Sequence, residues 1–144
     1  MKTILLIHGP NLNMLGKRDA KHYGALTLKE LERQVASAAK KHGLKVKAFQ
    51  SNYEGGIIDF LQKNAPKAAG ILINPGAYTH YSYAIHDALL DTKLPAIEVH
   101  LSKVTEREDW RAKSVTAPAC VKVFSGEGVV SYVRAIEEIA RITK

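Results

Sequence analysis

The chain has 144 residues, 46% of them apolar, with a single cysteine and a formal net charge of +7. That length suits one domain with its own core, and the lone Cys120 excludes an intrachain disulfide framework. The apolar runs are too short to span a bilayer, and Met1-Lys2-Thr3 leads into a strand with no secretory h-region, so the expectation is a cytoplasmic protein with no membrane partner. The lysines and arginines are scattered, with no basic stripe interleaved with aromatics, so nucleic acid is not an expected partner. An anionic small substrate is compatible with the charge.

Thr3 to Ile7 reads as a buried first strand. About twenty residues then precede the first helix, against the two to six usual for such a join. This stretch, His8-Gly9-Pro10-Asn11-Leu12-Asn13-Met14-Leu15-Gly16-Lys17-Arg18 and on to Tyr23-Gly24, sets Asn, Arg and Tyr among glycines. A long loop so equipped points to function. Thr27 to His42 reads as a helix: Thr27 and Glu30 form a capping box, Leu28, Leu31, Val35 and Ala38 share a face, and Gly43 ends it. Leu44 to Gln50 is a second strand, and Gly55 to Lys63 a short helix stopped by Asn64-Ala65-Pro66. Gly70 to Ile73 is wholly apolar, as a central strand would be. Ser82 caps a helix to Asp91, and Ala96 to Val99 is a fourth strand. His100 to Ser114 is a polar connection with room for one helical turn. Cys120 to Phe124 is a fifth strand, and Ser125-Gly126-Glu127-Gly128 leads to a last helix with Val129, Val133, Ile136 and Ala140 on one face.

Five strands, each followed by a helix or a helix-like connection, predict an α/β chain forming a single domain over residues 1–144. The expected architecture is a flavodoxin-like three-layer sandwich around a five-stranded parallel sheet of order 2-1-3-4-5. Ligands in such sheets bind beyond the carboxyl ends of the strands, where strand order reverses. Residues just past each strand should therefore share one crevice: Asn11 with the long loop, Ser51-Asn52, Asn74-Pro75-Gly76, His100 and Ser125-Gly126. The first loop and the Asn74 loop should meet.

A metal site is not expected. His80, His86, Asp87 and His100 do not have ligand spacing, and there is no Cys pair. No dinucleotide fingerprint or Walker loop follows the first strand, and the Ser125 glycine loop reads as a turn before it reads as an anion site. Cys120 opens an apolar run and reads as a small packed residue, not a nucleophile. What remains is Tyr, His, Arg, Asn and Glu, a set suited to proton transfer. Glu98 and His100, two apart on one strand, point to the same face. A carboxylate there can hold one ring nitrogen as a donor and favour the imidazolium, making the other nitrogen a useful acid. Arg107 and Arg111 lie four apart in the next connection, and the Asn74 amide can meet a hydroxylated ligand. A structural His–Glu pair and a solvated turn remain the plain alternatives. So does a silent flavodoxin-like binding module, which would have no need of an ionisable tyrosine.

Taken together, four motifs carry a resemblance over nearly the whole chain. They are Gly9-Pro10-Asn11-Leu12-Asn13-Met14-Leu15-Gly16-x-Arg18 with Tyr23-Gly24, then Phe49-Gln50-Ser51-Asn52 with Glu54-Gly55, then Ile73-Asn74-Pro75-Gly76-Ala77-Tyr78-Thr79-His80, and last Glu98-Val99-His100-Leu101-Ser102 with Arg107-Glu108 and Arg111. The chain resembles the type II 3-dehydroquinate dehydratase family. The resemblance implies anti elimination of water from 3-dehydroquinate to 3-dehydroshikimate through an enolate, in the shikimate pathway, with no cofactor, metal or Schiff base. It implies Tyr23 as the base at C2 and Arg18 as the cation that lowers its pKa. Asn11 would place a water on the enolate oxygen, His100 would act as the acid for the C1 hydroxyl, and Glu98 would orient His100. Substrate contacts would come from Asn74, His80, Leu101, Ser102 and Arg111, with Gly76 and Arg107 auxiliary. Asp87 would reach a neighbouring subunit's site in a homododecamer of four trimers.

The implied base fits elementary electrostatics. A free tyrosine titrates near ~10, and one adjacent guanidinium is worth ~1–3 units. Arg18 alone is marginal for a phenolate at neutral pH, and Arg107 is the candidate second cation. Ala20, Tyr53, Tyr81, Lys103 and Thr105 depart from the residues common in the family; none replaces an implied catalytic residue.

Overall fold

The computed structural model describes residues 1–17, 25–103 and 108–144. Arg18, Ala20, Tyr23, Gly24, Thr105 and Arg107, all singled out above, lie outside the described residues. Five strands run β1 (Lys2–His8), β2 (Leu44–Gln50), β3 (Gly70–Asn74), β4 (Ala96–His100) and β5 (Lys122–Ser125). Among the described residues four α-helices accompany them: α1 (Leu28–Lys40), α2 (Glu54–Asn64), α3 (Tyr83–Thr92) and α4 (Val129–Ile142). All strand pairs are parallel, and the sheet order is β2-β1-β3-β4-β5. The flavodoxin-like prediction is borne out.

The pleat alternation divides the core in two. Ile4, Leu6, Leu72, Ile97 and Val99 turn to one face and pack with Leu31, Val35 and Ala39 of α1 and Tyr132, Ala135, Ile136 and Ile139 of α4. Leu5, Ile7, Ile71, Ile73 and Ala96 turn to the other, against Ile57 and Leu61 of α2 and Ile85, Ala88 and Leu89 of α3. Strands β1, β3 and β4 are covered on both faces, so they read as continuous apolar runs rather than alternating ones.

Local signals set the helix starts. Thr27 Oγ1 accepts the Glu30 N–H at 3.1 Å, one arm of the predicted capping box. The Glu30 carboxylate accepts from Arg33 and Gln34 on the next turn. Ser82 Oγ likewise accepts the Ile85 N–H at 3.0 Å and opens α3. The fifth strand begins two residues later than expected. Pro118 sits in a 3-10 turn over Ala117–Ala119, and Cys120 closes that turn through its N–H to Ala117 O at 2.9 Å. The run from Cys120 therefore starts as a turn. In the described part of the β4–β5 connection the helical pieces are 3-10 turns, Asp109–Arg111 and Ala117–Ala119.

Register brings the strand ends level. His8 at the end of β1 pairs with Gln50 of β2 and Asn74 of β3, and His100 of β4 pairs with Ser125 of β5. Every residue expected to face the crevice by its position just past a strand therefore starts from one edge of the sheet. Among the described residues no helix is long and apolar enough to cross a membrane.

Candidate active site

The expected meeting of the first loop and the Asn74 loop is present. Gly9 N–H donates to Asn74 O at 2.7 Å. The contact is close enough that a Cβ on Gly9 would lie 2.2 Å from Pro75 O, and one on Gly76 would lie 3.0 Å from Pro10 O. Gly76 also has φ +61°, a left-handed conformation that glycine adopts without penalty. Asn11 is left-handed too, at φ 71°, and its N–H donates to Asn52 Oδ1 at 3.0 Å. Gln50 Nε2 bridges Gly9 O and Asn52 Oδ1 at 3.2 and 3.1 Å. The Tyr78 hydroxyl donates to Asn52 O at 2.8 Å. The ends of β1, β2 and β3 are thus laced into one unit through Gly9, Asn11 and Asn52.

Asn74 is nearly fully buried and already engaged. Its Oδ1 accepts the Gly76 N–H at 3.0 Å, and its Nδ2 donates to the Tyr132 hydroxyl at 3.0 Å. A primary amide has two hydrogens and two lone pairs, so one of each remains for a ligand. Tyr132 is completely buried, and that burial raises its phenol above the ordinary value. It is kept as a neutral hydroxyl.

The other half of the site lies on the α2–α3 side of the sheet. Glu98 is fully buried, and its Oε2 is 2.7 Å from His100 Nε2. Burial works to raise the Glu98 carboxyl. The hydrogen bond and charge of His100, with the hydroxyls of Thr116 and Thr79, outweigh it and hold the group below the ordinary glutamate value. An ionised carboxylate only accepts, so the hydrogen between the two belongs to Nε2. That leaves Nδ1 as the ring atom for exchanging a proton with a ligand.

His80 ends a 3-10 turn over Gly76–His80, and its Nδ1 is 2.7 Å from Lys113 O. Its ring meets Trp110 edge-on, with centroids 5.2 Å apart, and the Arg111 guanidinium lies 4.1 Å from the Trp110 centroid on its ring. Arg111 also pairs through Nε with Glu108. His80 and Arg111, 31 positions apart in the sequence, are brought together by a tryptophan that the sequence analysis passed over. Leu101 and Ser102 follow His100 directly; Leu101 is buried and takes the Gly128 N–H on its carbonyl at 3.0 Å. Asp87 is separate: it lies on α3 with 75% of its side chain exposed, 3.0 Å from His86 Nδ1.

Three further residues escaped the sequence analysis. Thr79, Ser114 and Thr116 direct hydroxyls at Glu98. Serine and threonine in a loop look like ordinary turn residues, and only the fold puts them around a carboxylate. His8 is completely buried, with Nε2 3.0 Å from Glu32 Oε2. Cys120 is partly buried; burial, aided by the Glu98 charge, pushes its thiol up to about 12, which suits a packed residue and not a nucleophile. Among the described residues no three His, Cys, Asp or Glu side chains are grouped to hold a metal ion.

Fold and site together define a parallel α/β protein whose first and third strand-end loops are hydrogen-bonded to each other, with a buried carboxylate–imidazole pair at the end of β4. The family model for class II dehydroquinases matches residues 2–140. Over 140 residues the chain is 49% identical to the 3-dehydroquinate dehydratase of Thermotoga neapolitana, covering 97% of this chain and 95% of that protein. It is 47% identical to that of Caldicellulosiruptor bescii, over 99% of both. The crystal structure of the type II dehydroquinase from Butyrivibrio crossotus superposes with a TM-score of 0.92 at 45% identity, covering 96% of this chain and 97% of that one. That from Propionibacterium acnes superposes at 0.93 and 33% identity, covering 98% and 97%. The chain belongs to the class II dehydroquinase family, and by that membership it is an enzyme of the hydro-lyase class.

Proposed function

We propose that the chain, as one catalytic domain, converts 3-dehydroquinate to 3-dehydroshikimate in the shikimate pathway by anti elimination through an enolate. Tyr23, as phenolate, takes the C2 proton, and its pKa is lowered by Arg18 with Arg107 as second cation. Negative charge moves to the carbonyl oxygen, where a water placed by Asn11 accepts no proton but donates a hydrogen bond. The enolate then collapses, the C1–oxygen bond breaks, and His100 Nδ1 protonates the departing hydroxyl, which leaves as water. Glu98 holds Nε2. Asn74, His80, Leu101, Ser102 and Arg111 grip the substrate's hydroxyls and carboxylate, and Gly76 lets the Asn74 loop approach them. No cofactor or metal is needed, because each proton has a side chain to take or give it.

The observation that carries this reading is the buried Glu98–His100 pair at the strand ends of a chain in this family. It supplies an imidazole whose protonated form has a fixed anionic neighbour, as a general acid requires. The remaining amide hydrogen and lone pair of Asn74 support the contact to a hydroxyl. Arg111 is ion-paired with Glu108, and its planar guanidinium carries the N–H donors that a substrate carboxylate would take.

Asp87, exposed on α3, would complete the site of a neighbouring subunit in a homododecamer built as four trimers, acting in the cytoplasm. Sizing by light scattering should return twelve chains, and a monomer would remove Asp87 from this role.

The enone product absorbs in the ultraviolet where the substrate does not. Addition of 3-dehydroquinate should therefore raise absorbance with the wild-type protein and not with Tyr23→Phe. Full activity in Tyr23→Phe would overturn the assignment of the base.

A further inference from the structure

Glu98 is a charge in a dry place. It is fully buried on a central strand, and its carboxylate is ringed by hydroxyls from elsewhere in the chain. Thr79 Oγ1 donates to Oε2 at 2.7 Å, Ser114 Oγ reaches Oε2 at 3.1 Å, and Thr116 Oγ1 donates to Oε1. Thr79 and Thr116 are themselves buried. The hydroxyls also touch one another, Thr79 to Ser114 at 2.6 Å and Thr79 to Thr116 at 3.1 Å. Ala117 N–H donates to Ser114 Oγ at 2.9 Å and so fixes which way that hydroxyl faces.

Each hydroxyl has one hydrogen, and His100 Nε2 supplies another. An ionised Glu98 can accept all of them; a protonated one would turn an oxygen into a donor and force a hydroxyl aside. A buried carboxylate without such donors would take a proton itself. The donors also join separate pieces of the site. Thr79 precedes His80, Ser114 and Thr116 follow Arg111, and Val115 N–H donates to Thr79 O at 2.7 Å. Among the described residues the Cys120 thiol also senses the Glu98 charge, and it is neutral at working pH.

We propose that Thr79, Ser114 and Thr116 form a hydroxyl cage of positioning residues that keeps Glu98 ionised, so that the proton shared by the Glu98–His100 pair resides on the imidazole. The cage also holds the segments bearing His80 and Arg111 at fixed distance from His100. The inference rests on His100 being the acid of the dehydratase.

The test is Thr116→Val, which removes the hydroxyl and keeps the branched shape, with Thr116→Ser as rescue. Loss of one hydrogen bond to a charged group should lower kcat about ten- to hundredfold. KM should stay within about twofold, since the hydroxyl touches no substrate. In protein labelled with 15N-histidine, the acid-side His100 ring signals should move from imidazolium toward neutral imidazole. Thr116→Ser should return both readouts close to wild type. Wild-type kcat and an unchanged His100 titration in Thr116→Val would overturn the cage. So would a fall in kcat that leaves the His100 ring signals unmoved, or one that serine does not rescue. If Thr116→Val does not fold, Thr79→Val is read by the same criteria. A wild-type protein without turnover would sink the dehydratase reading alone, because the ring-nitrogen signals still decide whether the hydroxyls control the proton.

Discussion

Asn74 donates its side-chain amide to the Tyr132 hydroxyl at 3.0 Å, joining the end of a central strand to the inner face of the last helix. The partner is completely buried, so the amide of a proposed substrate contact is aimed from inside the core. Tyr132→Phe would leave the Asn74 hydrogen without that acceptor. The variant should lose about 1–2 kcal/mol of stability, and the freed amide should raise KM severalfold with little change in kcat. Urea melts and turnover curves check the two effects separately.

Glu98 ties stability to pH. Its folded carboxyl is held below the ordinary glutamate value of 4.5 despite the opposing effect of burial. The ionised form therefore stabilises the fold above that value, and the contribution is lost as pH falls through the folded one. Wild-type melting temperature should drop in this acid window, and Glu98→Gln should flatten that part of the curve. The same variant loses the anion facing His100, so kcat should fall by about 10²-fold or more, while KM changes little.

Trp110 is the only tryptophan in the chain, and it stands between His80 and Arg111. Its fluorescence should change on binding of a substrate-like carboxylate, which makes affinity measurable without turnover. Trp110→Ala removes the surface on which the guanidinium lies. KM should rise about three- to tenfold, in keeping with the loss of one exposed cation–π contact and its ordering effect, and the circular dichroism spectrum should be unaltered.

Gly9 has no room for a side chain: an added Cβ would stand 2.2 Å from a backbone oxygen of Pro75, which cannot rotate away. Gly9→Ala should cost ~2 kcal/mol or more by overpacking and should pull the first loop off the Asn74 loop, reducing activity with stability. Gly55, inside α2 with nothing within 4 Å of its added Cβ, is the control. Gly55→Ala should be neutral or stabilising by up to ~1 kcal/mol, from the better helix propensity of alanine. Thermal melts of the two variants distinguish steric exclusion from a general effect of replacing glycine.

Much of this was written in one dimension. The five strands, the capping serine and threonine, the strand order and the meeting of the first and third strand-end loops follow from periodicity, local hydrogen-bonding chemistry and the few ways a parallel sheet can be wound. The Glu98–His100 pair was also legible, because two residues on one strand face must be neighbours. The start of β5 was not, since an apolar run does not reveal that Pro118 turns the backbone just before it. Nor could the sequence put Trp110 between His80 and Arg111, Tyr132 under Asn74, or three hydroxyls around Glu98. Such contacts join side chains whose spacing has no period, and packing alone chooses the partners. The sequence by itself determined the fold and the residue types available for chemistry; the tertiary structure decided which of them share a proton, because a buried charge is set by everything that closes around it.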